Sequence, residues 1–150
     1  MPLSPSRKTP ARPATPILVD TSAWVEYDRA TESRIDHRLT ELIESDGPVA
    51  VTEPVVMEVC AGARTTRRES QLRQLLASFQ QLPFDPLIDF ESATRIYQRC
   101  RRRGITPRGL IDCMIASVAA RTGAAVLAFD RDLIAIAEVI ELQLDRACYD

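Results

Sequence analysis

The chain's 150 residues match the length of one domain, long enough to bury a hydrophobic core without disulfide or metal staples. Its composition is 45% hydrophobic and 27% charged, ordinary for a soluble globular protein, and no apolar run is long enough to cross a membrane as a helix. A formal net charge of −2 and a sequence pI of about 5.5 argue against a constitutive, non-specific nucleic-acid coat.

Residues 1–16 hold five of the ten prolines together with Arg7, Lys8 and Arg12, and contain no apolar segment of the kind a secretory signal needs. They read as a disordered proline-rich tail on a cytoplasmic protein. Order is expected from Ile17-Leu18-Val19, a short buried strand that meets Asp20 and then a helical stretch. Ser33 caps a helix with Ile35, Leu39, Leu42 and Ile43 at the 3.6-residue period, and Asp46-Gly47-Pro48 stops it. Val49-Ala50-Val51 reads as a second strand, and Thr52 with Pro54 starts the helix carrying Val55, Val56, Met57, Val59 and Cys60, which weakens at Gly62. Leu72, Leu75, Leu76 and Phe79 mark a fourth helix. Leu82-Pro83-Phe84 is a candidate short strand, Asp89 a candidate cap for the helix through Cys100, and Gly104 its end. A helix from about Leu110 to Thr122 stops at Gly123; Ala125 to Phe129 is a strand, and Asp132 begins a last helix through Val139. Strands alternating with helices, with no hairpin signal, give an α/β fold with a mostly parallel sheet.

Open parallel sheets place their sites beyond the carboxyl ends of their strands. Two strands end there in an acid, Asp20 and Asp130, and Asp132 follows two residues later. Glu58 lies between Met57 and Val59, and Asp112 between Ile111 and Cys113, in helices that are otherwise largely apolar. Acids so placed are costly unless paired, hydrogen-bonded or metal-bound. Each has a structural alternative: Asp20 and Asp132 as helix caps, Asp112 as a favourable first-turn charge, Glu58 as a solvated helix edge. The functional reading rests on their combination.

Several scarcities narrow the chemistry. His37 is the only histidine and Lys8 the only lysine, which disfavours histidine-rich zinc sites, a two-histidine ribonuclease mechanism and lysine-dependent catalysis. Cys60, Cys100, Cys113 and Cys148 show no C-x-x-C spacing and read as buried thiols. Converging carboxylates raise one another's pKa, and a divalent cation relieves that repulsion; an all-oxygen donor set selects Mg²⁺ or Mn²⁺ over zinc. Such a site activates water for in-line attack on a phosphodiester, leaving a 5′-phosphate and a 3′-hydroxyl.

Asp20-Thr21-Ser22 after an apolar strand, Glu58 in a Met-Glu-Val-x-x-Gly helix, Asp112-Cys113-Met114-Ile115-Ala116, and Phe129-Asp130-Arg131-Asp132 together resemble PIN-domain nucleases, and among them the VapC toxins of type II toxin–antitoxin operons. The resemblance runs in order from Ile17 to about Val139 and implies a PIN domain over residues 17–150, a three-layer α/β/α fold with a short, mostly parallel central sheet. It implies that Asp20, Glu58, Asp112 and Asp130 form the catalytic, metal-binding quartet, with Asp132 an auxiliary ligand or an outer acid, and that Thr21 or Ser22 hydrogen-bonds a carboxylate. It further implies an Mg²⁺- or Mn²⁺-dependent endoribonuclease acting on structured RNA such as tRNA or rRNA, usually a homodimer, neutralised by a small VapB-like antitoxin. One departure is Gly109-Leu110-Ile111, where relatives commonly carry Ser or Thr shortly before the third acid.

Two arginine clusters, Arg64-Arg67-Arg68 and Arg99-Arg101-Arg102-Arg103 with Arg108, could flank an acidic cleft and hold an RNA backbone, with Arg108 the leading candidate for an RNA contact. Solvated helix ends would look the same. Trp24 and Tyr27 could line a groove for an antitoxin helix. A phosphoacceptor or phosphatase reading of Asp130-x-Asp132 lacks the lysine such sites use. The rival from another class is a catalytically silent PIN fold that only binds RNA or protein.

Overall fold

The computed structural model describes residues 14–149, so the expected tail lies, as far as residue 13, outside the described residues. Strand β1 (Ile17–Val19) is followed by helices α1 (Thr21–Asp28) and α2 (Arg34–Glu44), then β2 (Val49–Val51), α3 (Glu53–Ala61) and α4 (Thr66–Ala77). The second half runs β3 (Gln80–Gln81), α5 (Asp89–Arg102), α6 (Ile111–Thr122), β4 (Ala125–Leu127) and α7 (Arg131–Ile140), and ends in a 3₁₀ turn at Arg146–Cys148.

The sheet has the order β3-β2-β1-β4 and is parallel throughout. β1 is central, with Ile17 opposite both Val49 and Ala125. Every residue of β1, β2 and β4 is buried, which is why these strands read as short uninterrupted apolar runs: helices cover both faces, giving three α/β/α layers. A further parallel bridge joins Val126 to Leu144 beyond β4, and Arg38 pins the chain there by gripping Asp145 with two guanidinium nitrogens, each at 3.0 Å. Ser33 caps α2 by accepting from the Asp36 amide, and Gly123 ends α6 at φ 71°, a left-handed turn that a side chain would resist.

Four expectations need correction. The third strand is Gln80–Gln81, not Leu82-Pro83-Phe84: the Leu82 amide still reaches Val51, but Pro83 has no N–H to continue the ladder. β4 stops at Leu127, after which the Ala128 and Phe129 amides turn to the Cys148 sulfur and the Ser22 hydroxyl. Asp89 does not cap α5; it is the first helical residue, fully buried, and its carboxylate accepts from Ser117, Arg121 and the Asp85 amide. The cap of α7 is Asp130 rather than Asp132.

The core gathers the strands with Leu39, Val55, Leu76, Ile115, Leu133 and Ile136. Trp24 belongs to it, with its ring 6.0 Å from Tyr27 and 5.4 Å from Phe79. Trp24 is thus packed inside and also lines a groove with Val25, Arg29, Glu58 and Arg68, whereas Tyr27 is not among the residues lining that groove. Cys60, Cys100, Cys113 and Cys148 are buried and unbridged.

Candidate active site

Asp20 leaves the central strand where β1 and β4 are still paired, its amide bonded to the Leu127 carbonyl at 2.9 Å. One carboxylate oxygen, Oδ2, caps α1 by accepting from the Ser22 amide at 3.0 Å and from the Ser22 hydroxyl. The other, Oδ1, is buried and has no hydrogen-bond partner among the described residues. The Ser22 hydroxyl also accepts from the Phe129 amide at 2.9 Å, so one oxygen joins the ends of β1 and β4. Thr21, a residue earlier, donates to Glu58 Oε1 at 2.7 Å. The sequence left Thr21 and Ser22 as alternatives; each in fact serves a different acid.

Glu58 sits midway along α3 and is half-buried, while its neighbour Met57 is exposed. Asp112 lies in the first turn of α6, whose start has no side-chain cap. Asp130 accepts from the Asp132 and Leu133 amides through Oδ1, at 2.8 and 3.2 Å. Asp112, Asp130 and Asp132 each bring a carboxylate oxygen within 4.8 Å of the other two. Asp20 and Glu58 stand outside that closest trio but within its electrostatic reach. Burial pushes Asp112 up to about 7, reinforced by the negative charges of Asp20, Asp130, Glu58 and Asp132. Burial likewise pushes Asp20 up to about 6 against the pull of the Ser22 hydrogen bonds, with Glu58 and Asp130 adding repulsion. Five acids from four separate parts of the chain therefore share one region.

These features fit a divalent cation. The donors are all oxygen, the acids repel one another, and a buried Asp20 oxygen lacks any protein partner. Neither remaining ligand type competes. His37 is exposed on α2 and apart from the acids, while Cys113, beside Asp112 in sequence, is buried with its thiol pushed up to about 12 by burial.

Arg108 approaches the cluster from the α5–α6 loop. Its backbone amide and Nε donate to Asp132 Oδ2 at 3.0 and 2.9 Å, and its Nη2 lies 3.8 Å from Asp130. These hydrogen bonds hold the Asp132 carboxyl below the usual range. Two grooves adjoin the acids: one contains Glu58 with Arg29, Arg64 and Arg68, the other contains Arg108 with Tyr97 and Arg101. Sequence reasoning missed Phe129, whose ring is 45% exposed next to Asp130, with the Arg34 guanidinium 5.7 Å from its centre. An aromatic residue immediately before a strand-end acid was the available signal.

Residues 17–139 match the PIN domain family. Over 128 residues the chain is 40% identical to "VapC ribonuclease Mb1587" of Mycobacterium bovis and equally to "Ribonuclease VapC11" of Mycobacterium tuberculosis, covering 85% of this chain and 96% of each relative. Its fold superimposes on a chain of DNA-bound VapBC from Salmonella typhimurium with a TM-score of 0.66 at 18% identity, covering 90% of this chain and all of that one. With its parallel sheet, its gathered acids and these relatives, the chain belongs to the PIN-domain family, among the VapC ribonucleases.

Proposed function

We propose that this chain is the toxin of a toxin–antitoxin pair, an endoribonuclease that hydrolyses RNA with Mg²⁺ or Mn²⁺ and leaves a 5′-phosphate and a 3′-hydroxyl. The observation that carries the reading is the buried, unpartnered Oδ1 of Asp20, on a carboxylate that belongs to a set of acids repelling one another. Asp20, Asp112, Asp130 and Glu58 would hold the cation, with Asp132 as an auxiliary acid. Once bound, a Mg²⁺-class ion supplies Lewis acidity: it lowers the pKa of water and offsets charge growing on the phosphodiester.

The chain's own residues do the rest. Ser22 holds Asp20 Oδ2 by two hydrogen bonds and accepts from the Phe129 amide, so one hydroxyl links the two strand ends that carry Asp20 and Asp130. Thr21 orients Glu58. Arg108, with most of its side chain exposed, neutralises Asp132 and can turn a guanidinium face to an incoming phosphate. With one exposed histidine outside the cluster, cleavage through an internal 2′-hydroxyl with histidine acid and base has no residues to carry it.

The partner reading follows from the relatives. A likeness to VapBC assemblies supports a small antitoxin that neutralises the enzyme, and structured RNA, rRNA or tRNA, is the class of target that goes with this reading. No helix among the described residues is long and apolar enough to cross a membrane, which agrees with a cytoplasmic site of action.

The decisive experiment is Asp112→Asn with Mg²⁺ or Mn²⁺ titrated against RNA cleavage. Cleavage should fall by more than about 100-fold, beyond the range of outer-shell changes at metal sites, while the fold survives. A folded Asp112→Asn protein that cuts at the wild-type rate overturns the mechanism.

A further inference from the structure

We infer that the groove between α5 and the Arg108–Leu110 loop is a nucleotide subsite, holding the RNA strand on one side of the bond that is cut. The inference rests on the ribonuclease reading above and deepens it. The groove encloses about 460 Å³, with Tyr97, Gln98 and Arg101 on one wall and Arg108, Gly109 and Leu110 on the other. No carboxylate lines it. The groove on the other flank of the cluster, by contrast, includes Asp28, which is already engaged by Arg68.

Three features of the groove suit a nucleotide. Arg101 is exposed and makes no ion pair among the described residues, whereas Arg95, earlier on the same helix, is paired with Glu91. Tyr97 is half-buried, packed against the core while lining the groove, and Leu110, which also lines it, is 55% exposed. Arg108 is shared between groove and acids, with its Nε on Asp132 and its Nη2 toward Asp130. A strand with its scissile phosphate at the carboxylates therefore meets Arg108 next and Arg101 after it, with a base resting against Tyr97 and Leu110. Arginine near a helix C-terminus is favoured by the helix dipole in any case, which covers Arg99, Arg101 and Arg102; it does not account for an acid-free groove joined to the acids through Arg108.

The test uses the full chain carrying Asp112→Asn, so that RNA is bound and not cut, with fluorescein-labelled mixed-sequence single-stranded oligoribonucleotides of about 8 to 16 nucleotides as the probe. Arg101→Ala should weaken binding severalfold and lower the slope of log affinity against log salt by about 0.7, the signature of one lost contact to a single-strand phosphate. Tyr97→Ala should weaken binding by about fivefold or more with the salt slope unchanged, and Tyr97→Phe should retain binding, since stacking needs the ring and not the hydroxyl. Arg95→Ala removes a charge from the same helix outside the groove and should move neither quantity. An unchanged salt slope in Arg101→Ala, or an equal fall in Arg95→Ala, overturns the subsite alone. If the wild-type chain neither binds nor cuts RNA with Mg²⁺ or Mn²⁺, the ribonuclease reading itself fails.

Discussion

Asp89 and Asp20 are almost equally hidden from solvent, at 0% and 2% exposure, yet their electrostatics are opposite. Asp89 has every demand met: Oδ1 accepts from Ser117 at 2.7 Å and Arg121 Nε at 3.2 Å, and Oδ2 from the Asp85 amide at 2.7 Å and Arg121 Nη2 at 2.8 Å. Burial works to raise its pKa, but these donors outweigh burial and hold it below the ordinary value. Asp20 has one oxygen served by Ser22, one with no partner, and acids for neighbours. Burial alone does not mark a functional carboxylate. The mark is burial without internal compensation, which is the condition a bound cation would relieve.

The comparison breaks first under substitution. Asp89→Ala strands a guanidinium that grips both the carboxylate and the Pro83 carbonyl, and should cost about 3 kcal/mol of stability, the low end for breaking a buried pair because Arg121 is partly exposed. Asp20→Asn should leave the cation-free protein as stable as the wild type or more so, because it removes a source of repulsion, while abolishing cleavage. Chemical denaturation of both variants without divalent ions checks the pair; equal destabilisation would erase the distinction.

Acidity sharpens it. Asp20 and Asp112 titrate at about 6 and about 7 in the folded chain, above the ordinary 3.8 of an unfolded aspartate, so the folded state holds protons that the unfolded state has released. Without divalent ions, their contribution to stability should fall as pH rises from about 4 through 7. Asp89, shifted the other way, contributes stability above the unfolded value that is lost as pH falls through its folded pKa. Thermal melts should accordingly pass through a maximum on the acid side of neutrality. Mn²⁺ at a hundredfold excess over its Kd should restore about 2.7 kcal/mol near pH 7. A melt profile that Mn²⁺ leaves unchanged would contradict the cation site.

The smallest effect concerns the residue that links the two strand ends. Ser22→Ala removes the hydroxyl between Asp20 and the Phe129 amide, and should weaken Mn²⁺ binding by about 10- to 100-fold with the fold preserved. Calorimetric titration of the variant measures it, and undiminished affinity would leave Ser22 as a tie between two strand ends with no part in the cation site.

Much of this was legible in the residues. Ile17-Leu18-Val19 and Val49-Ala50-Val51 are buried on both faces and so announce themselves as interior strands, and acids at 20, 58, 112 and 130 stand out against apolar surroundings. Gln80–Gln81 was not legible, because an exposed polar pair becomes a strand only through its partner β2. Asp89 resembled a helix cap because a local pattern cannot reveal Arg121 and Ser117, which reach it from another helix. The separate duties of Thr21 and Ser22 were hidden for the same reason: they depend on α3 and the end of β4, both distant in sequence, reaching the start of α1.

The strand order has a consequence for biosynthesis. Among the described strands β1 is made first, but it lies inside the sheet and waits for β4, the last of the four. Asp20 is thus made about ninety residues before Asp112 and over a hundred before Asp130. The acid cluster can therefore assemble only after β4 and the start of α7 have been made, so a nascent chain shorter than that carries Asp20 without the site.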